Sequence, residues 1–344
     1  MPAAPLLPDW ATETVLLVAP ASHMGIYRRH LRELQSFYQA FASEIAQYDT
    51  VISVLSPKAS VPADADAARV RWRNARIGDI WVRDFAPLPT TTGAVAFIYD
   101  PEYAPTRHSA SVQQDLLRLL QTDPAFDGIG PIAKVDLRLE GGNLVHNGAA
   151  TAIVTDKILS RNRNRGRREI ERIMKDALAL DRLVIVPCEP GDRFGHVDGM
   201  MRWVNERRLV LNDYSASSGP GRAFADDLRR TLDRGLGPVE QCVIPYPASE
   251  RVYRGWPDAA GNYVNFLRTR SRIYLPVYGL PEDALVQEIF ESIFGSRVSC
   301  VRPGALTKYG GVLNCITWGI GAGGSPGTAT ETTTGFQSAP AVVN

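Results

Sequence analysis

Four short stretches carry the residue types that do chemistry. They are Trp81-Val82-Arg83-Asp84-Phe85-Ala86-Pro87, Leu139-Glu140-Gly141-Gly142-Asn143, Phe194-Gly195-His196-Val197-Asp198-Gly199 and Gly310-Gly311-Val312-Leu313-Asn314-Cys315-Ile316-Thr317. Cys315 has glycines on both sides, so its backbone can turn tightly and approach another group closely. A cysteine attacks as the thiolate and needs an acid or base partner, normally a histidine, brought near by the fold. His196 can move protons, and Glu140 can orient it in the manner of a triad. Asp84 and Asp198 add further carboxylates, which repel one another unless a cation lies between them. That cation is a metal or an organic group. A planar guanidinium suits the set, because carboxylates hold it by paired, charge-assisted hydrogen bonds. Its central carbon is a target for sulfur, and its charge favours the thiolate of Cys315.

Each residue also has a plainer reading. Asp84 follows Arg83 and could form half of a surface ion pair. Glu140, before two glycines, could cap a turn. His196 and Asp198, two apart, would share one face of a strand and bond to each other. A lone cysteine is usually a buried small apolar residue. Taken together these readings weaken, because all four stretches pair Gly or Pro with reactive polar types.

The elements that must position these groups alternate between strand and helix. Apolar runs at Thr14–Ala19, Val51–Leu55, Val95–Ile98, Ala152–Val154, Leu183–Val186, Leu209–Leu211, Ile273–Leu275 and Arg297–Val301 read as strands. Helical spacing marks Arg28–Tyr48, Ser111–Leu120, and segments starting near Arg168, Arg222 and Pro281. The last four helix starts recur about every 55–60 residues, and an earlier helix near Arg28 makes five. The polar motifs keep the same beat: Glu140 lies midway between Asp84 and His196 in the sequence. If every repeat places its equivalent position at a common axis, these side chains meet there. Ser56–Ala68 is rich in Pro and Ala and reads as a loop. Residues 321–344 are rich in Gly, Ser, Thr, Ala and Pro and hold one acid, Glu331, with no Lys or Arg. They read as a flexible tail, leaving 1–320 as one catalytic domain.

Composition narrows the classes. Hydrophobic residues are 44% and charged residues 22% of 344, as in an ordinary globular chain. Lys plus Arg is 38 against 37 for Asp plus Glu, a net charge of +1. That gives no global pull toward nucleic acid or anionic membrane. The basic run Arg161, Arg163, Arg165, Arg167, Arg168 is read as a loop and helix start. Cys188, Cys242, Cys300 and Cys315 show no metal-finger or redox spacing. No secretory leader and no apolar run of ~20 residues is visible, so the expectation is a cytoplasmic protein with reduced thiols, off the membrane.

The four motifs, in this order, resemble the agmatine deiminase / bacterial-type peptidylarginine deiminase family of the guanidino-group-modifying superfamily. The similarity runs from about Trp10 to Trp318. It includes Ser160-Arg161-Asn162 to Glu169, and Asn262-Tyr263-Val264-Asn265-Phe266 followed by Leu275-Pro276-Val277-Tyr278-Gly279. The resemblance implies an α/β fold, a five-bladed α/β propeller (pentein) with pseudo-fivefold repeats and its site at the central axis. It implies Cys315 as nucleophile, His196 as general acid and base, Asp84 and Asp198 as clamps on the guanidinium, and Glu140 as the holder of His196. Trp81, Asn143 and Asn265, within the matched motifs, are further candidate substrate contacts. The implied reaction releases ammonia and a ureido product through an amidino-cysteine, with no metal or organic cofactor. The partner is a small guanidino substrate; a homo-oligomer stays open.

Four features depart from the family pattern: Ala86 for Gly, Asn314 for His before the nucleophile, Trp318 for Gln, and Ala19-Pro20 for an early aromatic-Pro element. They bear on recognition of the substrate's far end. Alternatives are therefore a peptidylarginine deiminase and a guanidino-binding propeller without turnover. A metal-dependent ureohydrolase is disfavoured, because the chain has 5 His and no Asp-x-His-x-Asp.

Overall fold

The computed structural model describes residues 4–57, 59, 69–215 and 219–321. Most of Ser56–Ala68 and all of the expected tail beyond Gly321 lie outside the described residues. Gly321 itself ends a strand, so the sheet reaches one residue into the expected tail.

Mixed α/β architecture is built from one unit used five times. In each unit an antiparallel strand pair is followed by a helix that returns the chain to a parallel third strand. The second sheet orders Leu88–Thr90, Gly93–Ile98 and Ile132–Arg138, with helix Thr106–Thr122 in the crossover. The third orders Val145–His146, Thr151–Thr155 and Arg182–Val186 around helix Arg167–Leu178. The fourth orders Met201–Asn205, Arg208–Asn212 and Glu240–Ile244 around helix Pro220–Leu236. The fifth orders Leu267–Arg268, Ile273–Pro276 and Val298–Val301 around helix Asp283–Phe294.

The first unit is assembled from both ends of the described chain. Thr317–Gly321 pairs antiparallel with Thr12–Val18, which runs parallel to Thr50–Leu55 and then Val70–Asn74. Helix Leu31–Ala46 makes its crossover. A separate short hairpin joins Val252–Tyr253 to Trp256–Pro257.

The helices form where apolar residues recur at helical spacing, and that face is the one buried. Leu34, Tyr38, Phe41 and Ile45 do this in the first helix, Ile170, Met174 and Leu178 in the third, and Val286, Phe290 and Phe294 in the fifth. The central strands carry consecutive apolar residues buried on both faces: Val15, Leu16 and Leu17, then Ala152, Ile153 and Val154. The helices begin at Leu31, Thr106, Arg167, Pro220 and Asp283, less evenly than the sequence spacing implies. The second helix is longer than Ser111–Leu120 because its first turn is polar and carries no periodic apolar signal.

The more regular feature is where the polar motifs fall. Asp84, Glu140, His196, Asn265 and Cys315 each stand a few residues ahead of the antiparallel strand that opens a sheet. Equivalent positions in five similar units therefore carry the reactive side chains.

Candidate active site

These five positions supply the walls of one cavity of about 280 Å3, with the exception of Glu140, which stands behind His196. Asp84 lies in the short helical turn Val82–Phe85 and is 5% exposed, so it is no surface partner of Arg83. Its Oδ1 accepts the Gly142 N–H at 3.0 Å and lies 3.6 Å from His196 Nδ1. His196 Nε2 donates to Glu140 Oε2 at 2.7 Å, and both residues are buried. The imidazole is thus held on one nitrogen by Glu140, with the other turned toward Asp84.

His196 and Asp198 are not on a strand, which corrects the sequence reading. Asp192 accepts the N–H groups of Phe194, Gly195 and His196 at 2.8, 2.9 and 3.3 Å, and Gly195 takes φ +66°. These contacts break the extended run, and Val197–Gly199 forms a 3₁₀ turn. The i, i+2 face rule therefore does not apply. Both side chains line the cavity nonetheless, with no hydrogen bond between them among those found.

Cys315 is 8% exposed. Its thiol lies 3.7 Å from Asp198 Oδ2 and 3.4 Å from Asn265 Oδ1, and Asn265 Nδ2 donates to Sγ at 3.3 Å. Asn314 Nδ2 donates to Asp198 Oδ2 at 2.6 Å. Two glycines admit this crowding. A Cβ on Gly142 would sit 2.7 Å from both Asp84 Oδ1 and His196 Nδ1, and one on Gly311 would sit 2.5 Å from the Trp81 ring.

The charges explain one another. Burial first, then the Asp198 and Glu140 carboxylates, raise the Asp84 pKa to about 7 against the opposing pull of His196. Burial works against a charged His196, but Asp84, Glu140 and Asp198 outweigh it and raise the imidazole to about 10. Burial and the carboxylates of Asp198 and Asp84 push the Cys315 thiol well above its ordinary value. With these shifts the site holds an imidazolium and a neutral thiol among carboxylates. A bound cation would offset their charge and favour the thiolate. Among the described residues no group of three or more His, Cys, Asp and Glu is arranged to hold a metal ion.

Trp81 and Asn265 line the cavity, but Asn143 does not. The Asn143 Oδ1 accepts the Thr155 N–H at 2.9 Å, and Thr155 Oγ1 donates to Gly195 O at 2.5 Å. Its side chain thus ties the Glu140 loop to the His196 loop. Trp318 is buried, and its Nε1 donates to Pro87 O at 2.8 Å, so it packs beneath the site. In the basic run, Arg161 pairs with Asp100 and Glu102, Arg165 with Asp136 and Glu169, and Arg167 with Glu171. These residues form helix Lys157–Arg161, a connecting loop and the start of the next helix, as read from the sequence.

Sequence reasoning passed over three acids on the cavity wall: Glu189, Asp192 and Asp258. Tyr214 and Tyr246 donate to the Glu189 carboxylate at 2.8 and 3.2 Å, and burial raises its pKa to about 7. The sequence signal was Glu189-Pro190-Gly191-Asp192, an acidic turn directly ahead of Gly195-His196. With Asp84 and Asp198 the lining holds five carboxylic acids and no Lys or Arg among the described residues.

The family model for Porphyromonas-type peptidyl-arginine deiminase matches residues 6–320. An agmatine deiminase of Ectopseudomonas mendocina (strain ymp) is 25% identical, covering 90% of this chain and 93% of that protein. Among solved structures, the agmatine deiminase of C. jejuni superposes with a TM-score of 0.81 at 17% identity, over 93% of this chain and 97% of that one. A DDAH from Pseudomonas aeruginosa complexed with citrulline superposes with a TM-score of 0.53 at 13% identity, over 90% of this chain and 99% of that one.

Proposed function

Since the chain belongs to the Porphyromonas-type peptidyl-arginine deiminase family, we propose that it is a guanidine iminohydrolase acting on an agmatine-like substrate. One observation carries the reading: a buried thiol, an imidazole and six acids line or back a single cavity that has no Lys or Arg among the described residues. Such a lining selects a cation and repels a carboxylate. Asp84 and Asp198 take the guanidinium, while Glu189 offers a second acid to a tail amine. The α-carboxylate of free arginine would meet the same acids unfavourably. The five similar sheets are proposed to close into a five-bladed propeller around the site, with residues 6–320 acting as one catalytic unit.

The chemistry follows from the site's protonation. Guanidinium binding releases the Cys315 proton to solvent. The thiolate attacks the central carbon, forming a C–S bond. The His196 imidazolium gives its Nδ1 proton to one –NH2 group, the C–N bond breaks and ammonia leaves. His196, now neutral, takes a proton from water as the oxygen bonds to the carbon of the amidino-cysteine. The C–S bond breaks with its electron pair returning to sulfur. The remaining hydroxyl proton passes to ammonia, so guanidinium and water become a ureido compound and ammonium. Glu140 holds His196 throughout, and Asn265 donates to the sulfur. Asn143 acts by fixing two loops rather than by touching substrate.

A second reading has its own support. A groove of about 480 Å3 shares Trp81, Tyr103, Phe194 and Tyr309 with the cavity. It leaves room for a longer tail, as in a peptidyl arginine. A ureido colour assay on purified protein with agmatine, free arginine and a blocked arginine peptide tests both. Agmatine is expected to be turned over best. Preference for the peptide favours the second reading, and no ureido product from any of the three refutes the deiminase.

A further inference from the structure

Asn314 immediately precedes Cys315 and is 2% exposed. Its Nδ2 donates to Asp198 Oδ2 at 2.6 Å, the same oxygen that lies 3.7 Å from the Cys315 thiol. The other oxygen faces elsewhere. A Cβ on Gly142 would be 3.3 Å from Asp198 Oδ1 and 2.7 Å from both Asp84 Oδ1 and His196 Nδ1. Oδ1 thus faces the space where Asp84 and His196 converge, and Oδ2 is held by Asn314 beside the thiol.

The holder is itself fixed. The Asn314 N–H donates to Asn265 O at 3.1 Å. Its carbonyl accepts from Arg83 Nε at 3.4 Å and Thr317 Oγ1 at 3.1 Å. Rotation of a carboxylate about its last torsion is broad and soft unless one oxygen is pinned. A Lys or Arg in this place would pin it equally well, but would cancel the charge a cationic substrate requires. A side-chain amide donates without adding charge.

We propose that Asn314 is a positioning residue for the guanidinium clamp: it pins Asp198 Oδ2, so that Oδ1 is presented to the substrate. The inference rests on the deiminase reading for the identity of the cation. Asn314 acts through Asp198 and does not touch the reacting atoms.

The consequence is a defect in binding rather than in the sulfur chemistry. Hydrogen bonds to charged groups are strong enough that losing one weakens binding by about tenfold to a hundredfold. Agmatine affinity is measured by calorimetry in the turnover-blocked Cys315→Ser protein, with and without Asn314→Leu, which keeps the volume and removes the donor. The Kd should rise about tenfold or more. With Cys315 restored, KM should rise by a larger factor than kcat falls. Asn314→His, whose ring carries an N–H, should recover part of the affinity.

A merely structural Asn314 would lower Tm and leave the Kd alone. A Kd within about twofold of the Cys315→Ser parent therefore overturns the proposal. Should Asn314→Leu not fold, Asn314→Ser, too short to reach Asp198, takes its place with the same expectation. Ammonia release by the wild type tests the deiminase reading separately. Absence of agmatine binding by the Cys315→Ser parent overturns the clamp and this proposal with it.

Discussion

Two polar clusters lie back to back, and consecutive residues divide between them. Asp84 lines the cavity with His196, Asp198 and Cys315. Arg83 lines a small chamber of about 30 Å3 with Asp9, His146 and Arg202. In the chamber two guanidinium groups share one carboxylate. Asp9 Oδ2 accepts from Arg202 at 2.5 Å, and Asp9 Oδ1 lies 3.9 Å from Arg83. Burial opposes ionisation of Asp9, but the two guanidinium groups outweigh it and depress its pKa. Burial pushes His146 down to about 4, so it stays neutral. In the cavity the shifts run the other way: Asp84 rises to about 7 and the Cys315 thiol rises too. The chamber's carboxylate has its counter-charge within the cluster, whereas the cavity's carboxylates face no Lys or Arg among the described residues and are short of positive charge. The sign of the deficit describes the ligand.

The largest expected effect is on the cavity side. Cys315→Ser should lower turnover by several orders of magnitude and leave Tm near that of the wild type. Retained turnover would remove Cys315 as nucleophile. Next is Asp84→Asn, which keeps the shape but removes a negative charge. Charge-assisted hydrogen bonds contribute roughly 1.5–3 kcal/mol, and breaking a buried pair costs about 3–5 kcal/mol. The expected fall in kcat/KM is on the order of 10²–10³. A loss below about fivefold would place Asp84 outside the clamp.

The chamber should respond in stability instead. Asp9→Asn leaves Arg202, 3% exposed at its side chain, without its carboxylate. Asp9 is 28% exposed, so the cost should be at the low end for a buried pair, about 2–3 kcal/mol in denaturant unfolding. Because the Asp9 pKa is depressed on folding, that contribution is present at neutral pH and is lost as pH falls through and below about 4. The kcat/KM of folded Asp9→Asn should fall far less than that of Asp84→Asn. Equal losses in both would erase the distinction between the clusters.

Smaller effects sharpen the contrast. Only ionised Asp84 can clamp a cation, and its raised pKa means that protonation begins as pH falls through about 7. The Kd of Cys315→Ser for agmatine should therefore be flat above that value and rise by up to about tenfold per pH unit below it. A flat Kd down to about pH 5 would contradict the shift. Exhaustive EDTA treatment should change nothing, whereas iodoacetamide should abolish activity. Loss on chelation, restored by a metal, would refute an organic cation as the counter-charge.

Much of this was legible in the sequence, for identifiable reasons. Helices with a strong apolar stripe, such as Arg167–Leu178, announce themselves through Ile170, Met174 and Leu178. Asp84, Glu140 and His196 announce themselves by equal intervals, because each precedes the opening strand of a repeated unit. Short strands such as Val145–His146 and Leu267–Arg268 have too few residues to show a period. The turn that holds His196 and Asp198 was misread as a strand, because it is made by side-chain contacts from Asp192. Asn143 sits in a motif yet faces Thr155, a direction that spacing does not encode. The acids Glu189 and Asp258 escaped because an isolated carboxylate in a loop looks like any solvated charge.

The pairing of Thr317–Gly321 with Thr12–Val18 has a kinetic consequence. Cys315 is carried into place by a strand whose partner lies at the opposite end of the described chain. Closing so long a loop costs entropy before any contact repays it, and such pairings form slowly. The first sheet is therefore the expected last step of folding, following assembly of the units that carry Asp84, His196 and Asp198. Until that step the carboxylates have no nucleophile among them, and Asp198 has no Asn314 to pin it.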